Sequence, residues 1–221
     1  MKFEIENGRL LKCLPEVPAE LIKSTRPRIR VCTQELDIEI PSGVKTINKQ
    51  VFDEVCSYVQ TVKLPDGLTK LQTGLFKRFV NLEELIIGEG PETIPAGFLK
   101  NSIKLKKIVI PSSVKTISNG AFSGCSKLEI IEIRGNGLES IGQEAFWNCN
   151  NISSIDFPTS LKKIGNCAFG RMKMKKIVFN SFVEIKYGYH GAFFYSGVEE
   201  IEMPDLNGEI AHLRLNCGQY E

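Results

Sequence analysis

The apolar residues of this chain recur in pairs, and within each pair one variable residue separates the two members. The pairs are Ile38/Ile40, Val62/Leu64, Leu85/Ile87, Ile108/Ile110, Ile131/Ile133, Ile155/Phe157, Ile177/Phe179 and Ile201/Met203. Successive first members lie 22 to 24 residues apart. An apolar, variable, apolar triplet has the two-residue period of a β-strand, in which the outer two residues point to one side and the middle one to the other. The pattern therefore predicts one short strand in each copy of a repeat.

Further columns keep step with these pairs. Proline follows the pair in five copies, where its missing N–H ends a strand, and a phenylalanine closes each unit, at Phe52, Phe76, Phe98, Phe122, Phe146, Phe169 and Phe193. A single unit buries too few side chains to offset the conformational entropy that it loses on folding, whereas stacked units cover each other's faces. The columns therefore predict a solenoid in which each repeat forms one coil, or rung.

One repeat, Leu105 to Cys125, reads L-x-x-I-x-I-P-x-x-V-x-x-I-x-x-x-A-F-x-x-C. It resembles the BspA-like leucine-rich repeat. The resemblance implies a right-handed leucine-rich-repeat solenoid, either of the α/β type or rich in β-structure, with a curved parallel β-sheet on its concave face and about seven to eight rungs of 22 to 24 residues. It also implies a non-enzymatic module that recognises proteins, of a kind often found on bacterial or protist cell surfaces.

The chain divides into three predicted segments. In residues 1–34, apolar residues on both sides of Asn7 and Gly8 indicate a β-hairpin, which we expect to cover the first rung. Residues 35–204 form the repeat array. The pattern fades in residues 205–221, and we interpret that segment as a C-terminal cap or a truncated rung.

The residues beside and between the inward pairs point outward from the strands, and in a solenoid they line up across the rungs on the concave face. Three consecutive rungs place Ile86, Val109 and Ile130 there, with charged neighbours, and an apolar centre with a charged rim is typical of a protein-binding patch. The alternative is that β-branched residues simply suit exposed strands. The candidate partner-binding residues are Glu84, Ile86, Lys107, Val109, Ile130, Glu132, Ser154 and Asp156.

Charge and composition argue against several other functions. The chain has 28 basic and 26 acidic residues and a net charge of +2, so no overall field attracts it to nucleic acid or to an anionic membrane. No apolar run is long enough to cross a bilayer, and the acidic N-terminus lacks a secretory apolar region. We expect no nucleic-acid binding and no membrane insertion. The chain as written is expected to be cytoplasmic, or to be secreted or on the cell surface if an export signal has been removed.

Catalytic and metal chemistry is not predicted. The seven cysteines form no C-x-x-C pair, and neither His190 nor His212 has a Cys, Asp or Glu at metal-ligand spacing. Three cysteines, Cys56, Cys125 and Cys149, fall in one column of the repeat, which predicts buried thiols. We therefore expect no catalytic residues, no metal, no cofactor and no small-molecule substrate.

Two functions stay open. The first is recognition of a protein partner through the concave face, with adhesion to a host or matrix protein as one form of it. The alternative is a structural or assembly role as a subunit of an intracellular complex. In either case we expect a monomer or weak self-association. An aromatic insert, Tyr187, Tyr189, His190 and Phe193 to Tyr195, is either a small ligand platform or packing and surface residues.

Overall fold

The computed structural model describes residues 2–14, 36–53, 55–185, 191–205 and 207–214. It is a parallel β-solenoid of about seven turns with almost no helix, which confirms the predicted fold. Among the residues named above, the helical structure is one short 3-10 helix, Lys49–Phe52, and none of them forms a helix that is long and apolar enough to cross a membrane.

The strands are short because each rung contributes only a few residues to any one sheet. In chain order they are β1 (Lys2–Glu6), β2 (Arg9–Leu14), β3 (Leu36–Glu39), β4 (Thr46–Ile47), β5 (Val59–Lys63), β6 (Glu84–Ile86), β7 (Thr93–Ile94), β8 (Lys107–Ile110), β9 (Thr116–Ile117), β10 (Ile130–Ile133), β11 (Ser140–Ile141), β12 (Lys163–Ile164), β13 (Lys176–Val178), β14 (Glu184–Ile185), β15 (Glu200–Pro204) and β16 (Ile210–Arg214).

Two five-stranded parallel sheets run along the solenoid. The concave sheet contains β3, β5, β6, β8 and β10 in spatial order, and the second contains β7, β9, β11, β12 and β14. In both sheets each residue pairs with its counterpart one repeat later, as Leu85 does with Ile108 and Ile108 with Ile131. The inward members of the predicted pairs are buried in one continuous core, except Ile133, which is partly buried against it.

The phenylalanine column fills that core. The rings of Phe122, Phe146, Phe169 and Phe193 stack one above the next, with centroids 5.1 to 5.7 Å apart. Beside them, the Sγ atoms of Cys125 and Cys149 each donate a hydrogen bond to a carbonyl oxygen of the preceding rung, at 3.2 Å. The predicted burial of the cysteine column, Cys56 included, is confirmed.

One predicted strand is absent. Ile155 and Phe157 are buried as expected, but residues 152–158 form no strand, and no backbone hydrogen bond joins residues 153–157 to β10 or β13. The repeat before this rung has 24 residues and the repeat after it has 22. Strand β13 pairs instead with β15, in a separate C-terminal sheet.

Hairpins lie at both ends of the described chain. Strands β1 and β2 pair antiparallel around Asn7 and Gly8, both with positive φ, and β2 then pairs with β4 of the first rung. The predicted hairpin is therefore present, and its Leu10 is buried against that rung. At the other end β16 pairs antiparallel with β15. The division of the chain at residues 34 and 204 stays a prediction.

Candidate functional site

The eight candidate residues lie in two rows across the concave face. Strand pairing places Glu84, Lys107 and Ile130 side by side in the first row and Ile86, Val109 and Glu132 in the second. Ser154 and Asp156 occupy the next rung, which has no strand, and both are exposed. Alternation along these strands places the six residues on the side opposite to the inward pairs.

The expected exposure of Val109 is wrong. This side chain is only 1% exposed, although it does not belong to the continuous core. Its cross-strand neighbours in the second row are Ile86 and Glu132, and Glu132 forms an ion pair with Arg134. Val109 therefore offers almost no exposed surface to a partner.

Ion pairs between and along the strands neutralise most charges of the concave face. Lys107 Nζ lies 2.8 Å from Glu84 Oε1, and Arg134 Nε lies 2.8 Å from Glu132 Oε1. The hydrogen bond with the Glu84 carboxylate raises the pKa of Lys107. The same arrangement recurs toward the two ends, in Lys63–Glu39 and Lys176–Glu202. Exposed pairs of this kind add little stability, but they leave few free charges in the centre.

An exposed apolar pair remains between these ion pairs. Ile130 is 52% exposed and Val178 is 46% exposed, on either side of the rung that carries Ser154 and Asp156. Asp156 makes no ion pair with any residue that the structure describes. We call Ile130, Ser154, Asp156 and Val178 the open patch. Sequence reasoning missed Val178 as a candidate, although its place between Ile177 and Phe179 marks it as outward-facing.

The remaining candidate chemistry is sparse. Within the described ranges, no three His, Cys, Asp or Glu side chains come together in a way that could hold a metal ion. Residues 186–190, which include Tyr187, Tyr189 and His190 of the aromatic insert, lie outside those ranges, and no side chain is described for His212. Of the rest of the insert, Phe193 is buried and Tyr195 is exposed.

The family to which the repeats are similar is clear. Residues 30–136 and 92–214 match the BspA type leucine-rich repeat region, in six copies. No curated protein matches the chain in a sequence search.

Three solved bacterial structures are similar. A leucine-rich repeat protein from Eubacterium ventriosum is 23% identical with a TM-score of 0.54, over 72% of this chain and 36% of that protein. The T. pallidum protein TpLRR is 26% identical with a TM-score of 0.48, over 53% and 57%. A leucine-rich cell surface protein from Faecalibacterium prausnitzii is 17% identical with a TM-score of 0.48, over 79% and 52%. The matched region thus spans less than two thirds of each of these proteins.

The Eubacterium ventriosum structure supports the solenoid fold of this chain. Proteins built from leucine-rich repeats are generally recognition modules without enzymatic activity. From the matched repeats, which cover most of its length, the chain belongs to the BspA-type leucine-rich-repeat family.

Proposed function

We propose that this chain recognises a protein partner through its concave face, with the open patch at the centre of the contact. The observation that carries the proposal is the exposure of Ile130, in the concave sheet, and of Val178, in the C-terminal sheet that follows it, among outward side chains that are mostly polar or tied into ion pairs. Burying two exposed β-branched side chains favours association, and the surrounding charges form the polar rim that protein interfaces usually have.

The rim residues are those predicted from the sequence. Glu84, Ile86, Lys107 and Glu132 lie on one side of the patch, and the buried Val109 is in the same row as Ile86 and Glu132. Because the rim charges are already paired, they contribute more to orientation and to the exclusion of wrong partners than to affinity. Asp156, which lies within the patch and has no such pair, is the charge best placed to meet a cation of the partner.

Substituting Ile130 with Lys tests the proposal. The variant adds a charge to the open patch without opening a cavity, because the side chain is already half exposed. Ile103→Lys is the matched control: Ile103 is 59% exposed but lies in a turn outside the concave sheet. Circular dichroism and thermal melting establish that both variants fold.

The wild type and each variant are immobilised in turn. The proteins that they capture from a lysate of the native organism and from host matrix extract are then compared in parallel. We expect the wild type and Ile103→Lys to retain the same captured protein and Ile130→Lys to lose it. Equal capture by all three would refute the concave-face proposal. Capture from matrix extract would favour adhesion, whereas capture from the lysate alone would favour a place in an intracellular assembly.

A further inference from the structure

A cleft of about 540 Å³ crosses three consecutive rungs at the side of the solenoid. We call it the lateral cleft; the residues that line it include Asn148, Asn150, Arg171, Lys173, Tyr195 and Glu199. It lies in the loops that lead from the phenylalanine column to the concave face. Phe122 precedes Ile131 by nine positions, whereas Phe169 precedes Ile177 by only eight. The loops of the last two rungs are thus one residue shorter than those of the two rungs before them.

Two residues of the lateral cleft violate a local preference of the fold. Several of these loops contain one residue with positive φ, and at Asn101, Gly124, Asn148 and Arg171 the N–H of that residue donates to a carbonyl oxygen of the next rung. The earlier rungs place Asn101, Gly124 and Asn148 there, which are residue types that tolerate the left-handed conformation. The next rungs place Arg171, with φ of 58°, and Tyr195, with φ of 53°. Strained residues of unsuitable type are a recurring feature of binding sites.

The guanidinium group of Arg171 is held in place. It lies over the ring of Trp147, 5.3 Å from the ring centroid. Trp147 in turn lies against Gly170, where a Cβ atom would overlap the ring, so only glycine permits this packing. Stacking on an aromatic face leaves the N–H edge of a guanidinium free to donate two parallel hydrogen bonds to a carboxylate. Arg171 is thus pre-oriented for an anion.

The charge of the lateral cleft is not neutralised from within. Neither Arg171 nor Lys173 forms an ion pair with any residue in the described part of the chain. Lys175 meets Glu199 only at 3.7 Å, and both side chains are largely exposed. By contrast, the lysines of the concave sheet pair with carboxylates at 2.7 to 2.8 Å. The cleft therefore attracts negative charge.

Two further groups indicate which kind of anion the lateral cleft would bind. The side-chain carbonyl oxygen of Asn150 is buried and accepts no hydrogen bond from a described residue, which often indicates an unseen donor beside it. Tyr195 is 47% exposed, and its ring lies 4.2 Å from that of Phe194, so a rigid aromatic face borders the cations. A peptide supplies a carboxylate, backbone N–H donors and apolar side chains together.

We propose that the lateral cleft binds an extended acidic peptide segment, with an Asp or Glu carboxylate on Arg171 and Lys173. This inference rests on the proposed function. Lys175 and Glu199 directly precede β13 and β15, so that one partner can cover both the cleft and the concave face. The cleft then adds charge selectivity to a surface whose own charges are paired.

The test uses a fluorescein-labelled peptide of alternating Asp and Glu, its Asn/Gln counterpart and a heparin-derived hexasaccharide. Fluorescence anisotropy measures binding to the full chain. Arg171→Asn is the informative variant, because asparagine suits the left-handed backbone and the fold should be kept or stabilised. Lys127→Asn, an exposed cation in the equivalent loop of an earlier rung, is the matched control.

We expect the acidic peptide to bind in a salt-dependent manner and the Asn/Gln peptide to bind at least about tenfold more weakly. Arg171→Asn should weaken acidic-peptide binding by a similar factor, and Lys127→Asn should leave it unchanged. Equal binding by Arg171→Asn, or Arg171-dependent binding of the saccharide but not the peptide, would overturn the proposal. Capture of the protein partner separates the two proposals: Ile130→Lys tests the concave face, and the peptide assay tests the cleft.

Discussion

The ring of Phe146 stacks on the ring of Phe169, with centroids 5.5 Å apart and planes only 2° from parallel, and both side chains are almost completely buried. Phe146 also stacks on Phe122 in the preceding rung, at 5.1 Å. A central ring of the column therefore joins three rungs. Its loss should be felt across the array, because each repeat is stable only through its neighbours.

Phe146→Ala should lower the free energy of unfolding by about 3–5 kcal/mol, because the solenoid cannot collapse around the cavity. Phe182→Ala, at a ring that is 48% exposed, should change it by less than about 1 kcal/mol. Urea denaturation followed by circular dichroism gives both values. Similar losses in the two variants would show that the stacked column is not a main source of stability.

Gly137 approaches the preceding rung so closely that a Cβ atom would overlap the carbonyl oxygen of Ser112. Gly43 has positive φ, but a Cβ atom added there would have no neighbour within 4 Å among the described residues. Alanine at this position would therefore cause no steric overlap and would cost only the free energy of holding a non-glycine residue at positive φ. We expect Gly137→Ala to cost more than about 2 kcal/mol and Gly43→Ala about 1 kcal/mol. The melting temperatures of the two variants measure these losses. A larger loss for Gly43→Ala than for Gly137→Ala would contradict the close approach at Gly137.

Much of the fold could be predicted because its stabilising contacts repeat. Inward pairs, the phenylalanine column and the cysteine column each recur at one place in the unit, so they can be found at a fixed spacing. The same regularity identifies both Ile130 and Val178 as outward-facing, Ile130 beside the inward pair of its rung and Val178 between the two members of its pair. Periodicity reports which way a residue points in its rung.

Exposure and register depend on neighbours in other rungs, and the sequence pattern does not report them. Val109 lies in the outward row as predicted, but it is almost completely buried. Ile155 has the expected burial, but its rung forms no strand. At the lateral cleft, Arg171 departs from the residue type that the backbone favours.

Glu89 links two rungs through hydrogen bonds at a turn. Its carboxylate accepts from the N–H groups of Ser112 and Ser113, at 3.0 and 2.9 Å, and from the Ser112 hydroxyl, at 3.0 Å. Desolvation opposes ionisation of Glu89, but these hydrogen bonds outweigh it and hold the pKa of the group below its ordinary value of 4.5. The stabilisation is therefore present in full above about pH 4.5 and is lost as the pH falls through the lower pKa of the folded protein.

Glu89→Gln should weaken the dependence of stability on pH. We expect the melting temperature of the wild type to fall more between neutral and strongly acidic pH than that of the variant, because glutamine does not titrate. Since other carboxylates titrate as well, Glu129→Gln, at an exposed glutamate, serves as the reference. An identical dependence of melting temperature on pH for Glu89→Gln and Glu129→Gln would show that the hydrogen bonds of Glu89 add no pH-dependent stability of their own.

The thiols of Cys125 and Cys149 should be unreactive in the folded protein. Burial raises the pKa of Cys125 to about 12 and raises that of Cys149 well above its usual value, and each Sγ already donates a hydrogen bond to a carbonyl oxygen. Near neutral pH these thiols therefore stay protonated, whereas the thiolate is the reactive form.

Iodoacetamide labelling followed by tryptic mass spectrometry measures this reactivity. Cys125 and Cys149 should stay unmodified in the native protein and become modified in denaturing urea. Ile103→Cys places a thiol at a site where the native side chain is 59% exposed, and that thiol should be labelled without denaturant. If Cys125 were labelled as fast as this reference thiol, the rungs around it would have to open on the timescale of the reaction. The continuous core between the two parallel sheets would then be far less cooperative than its packing implies.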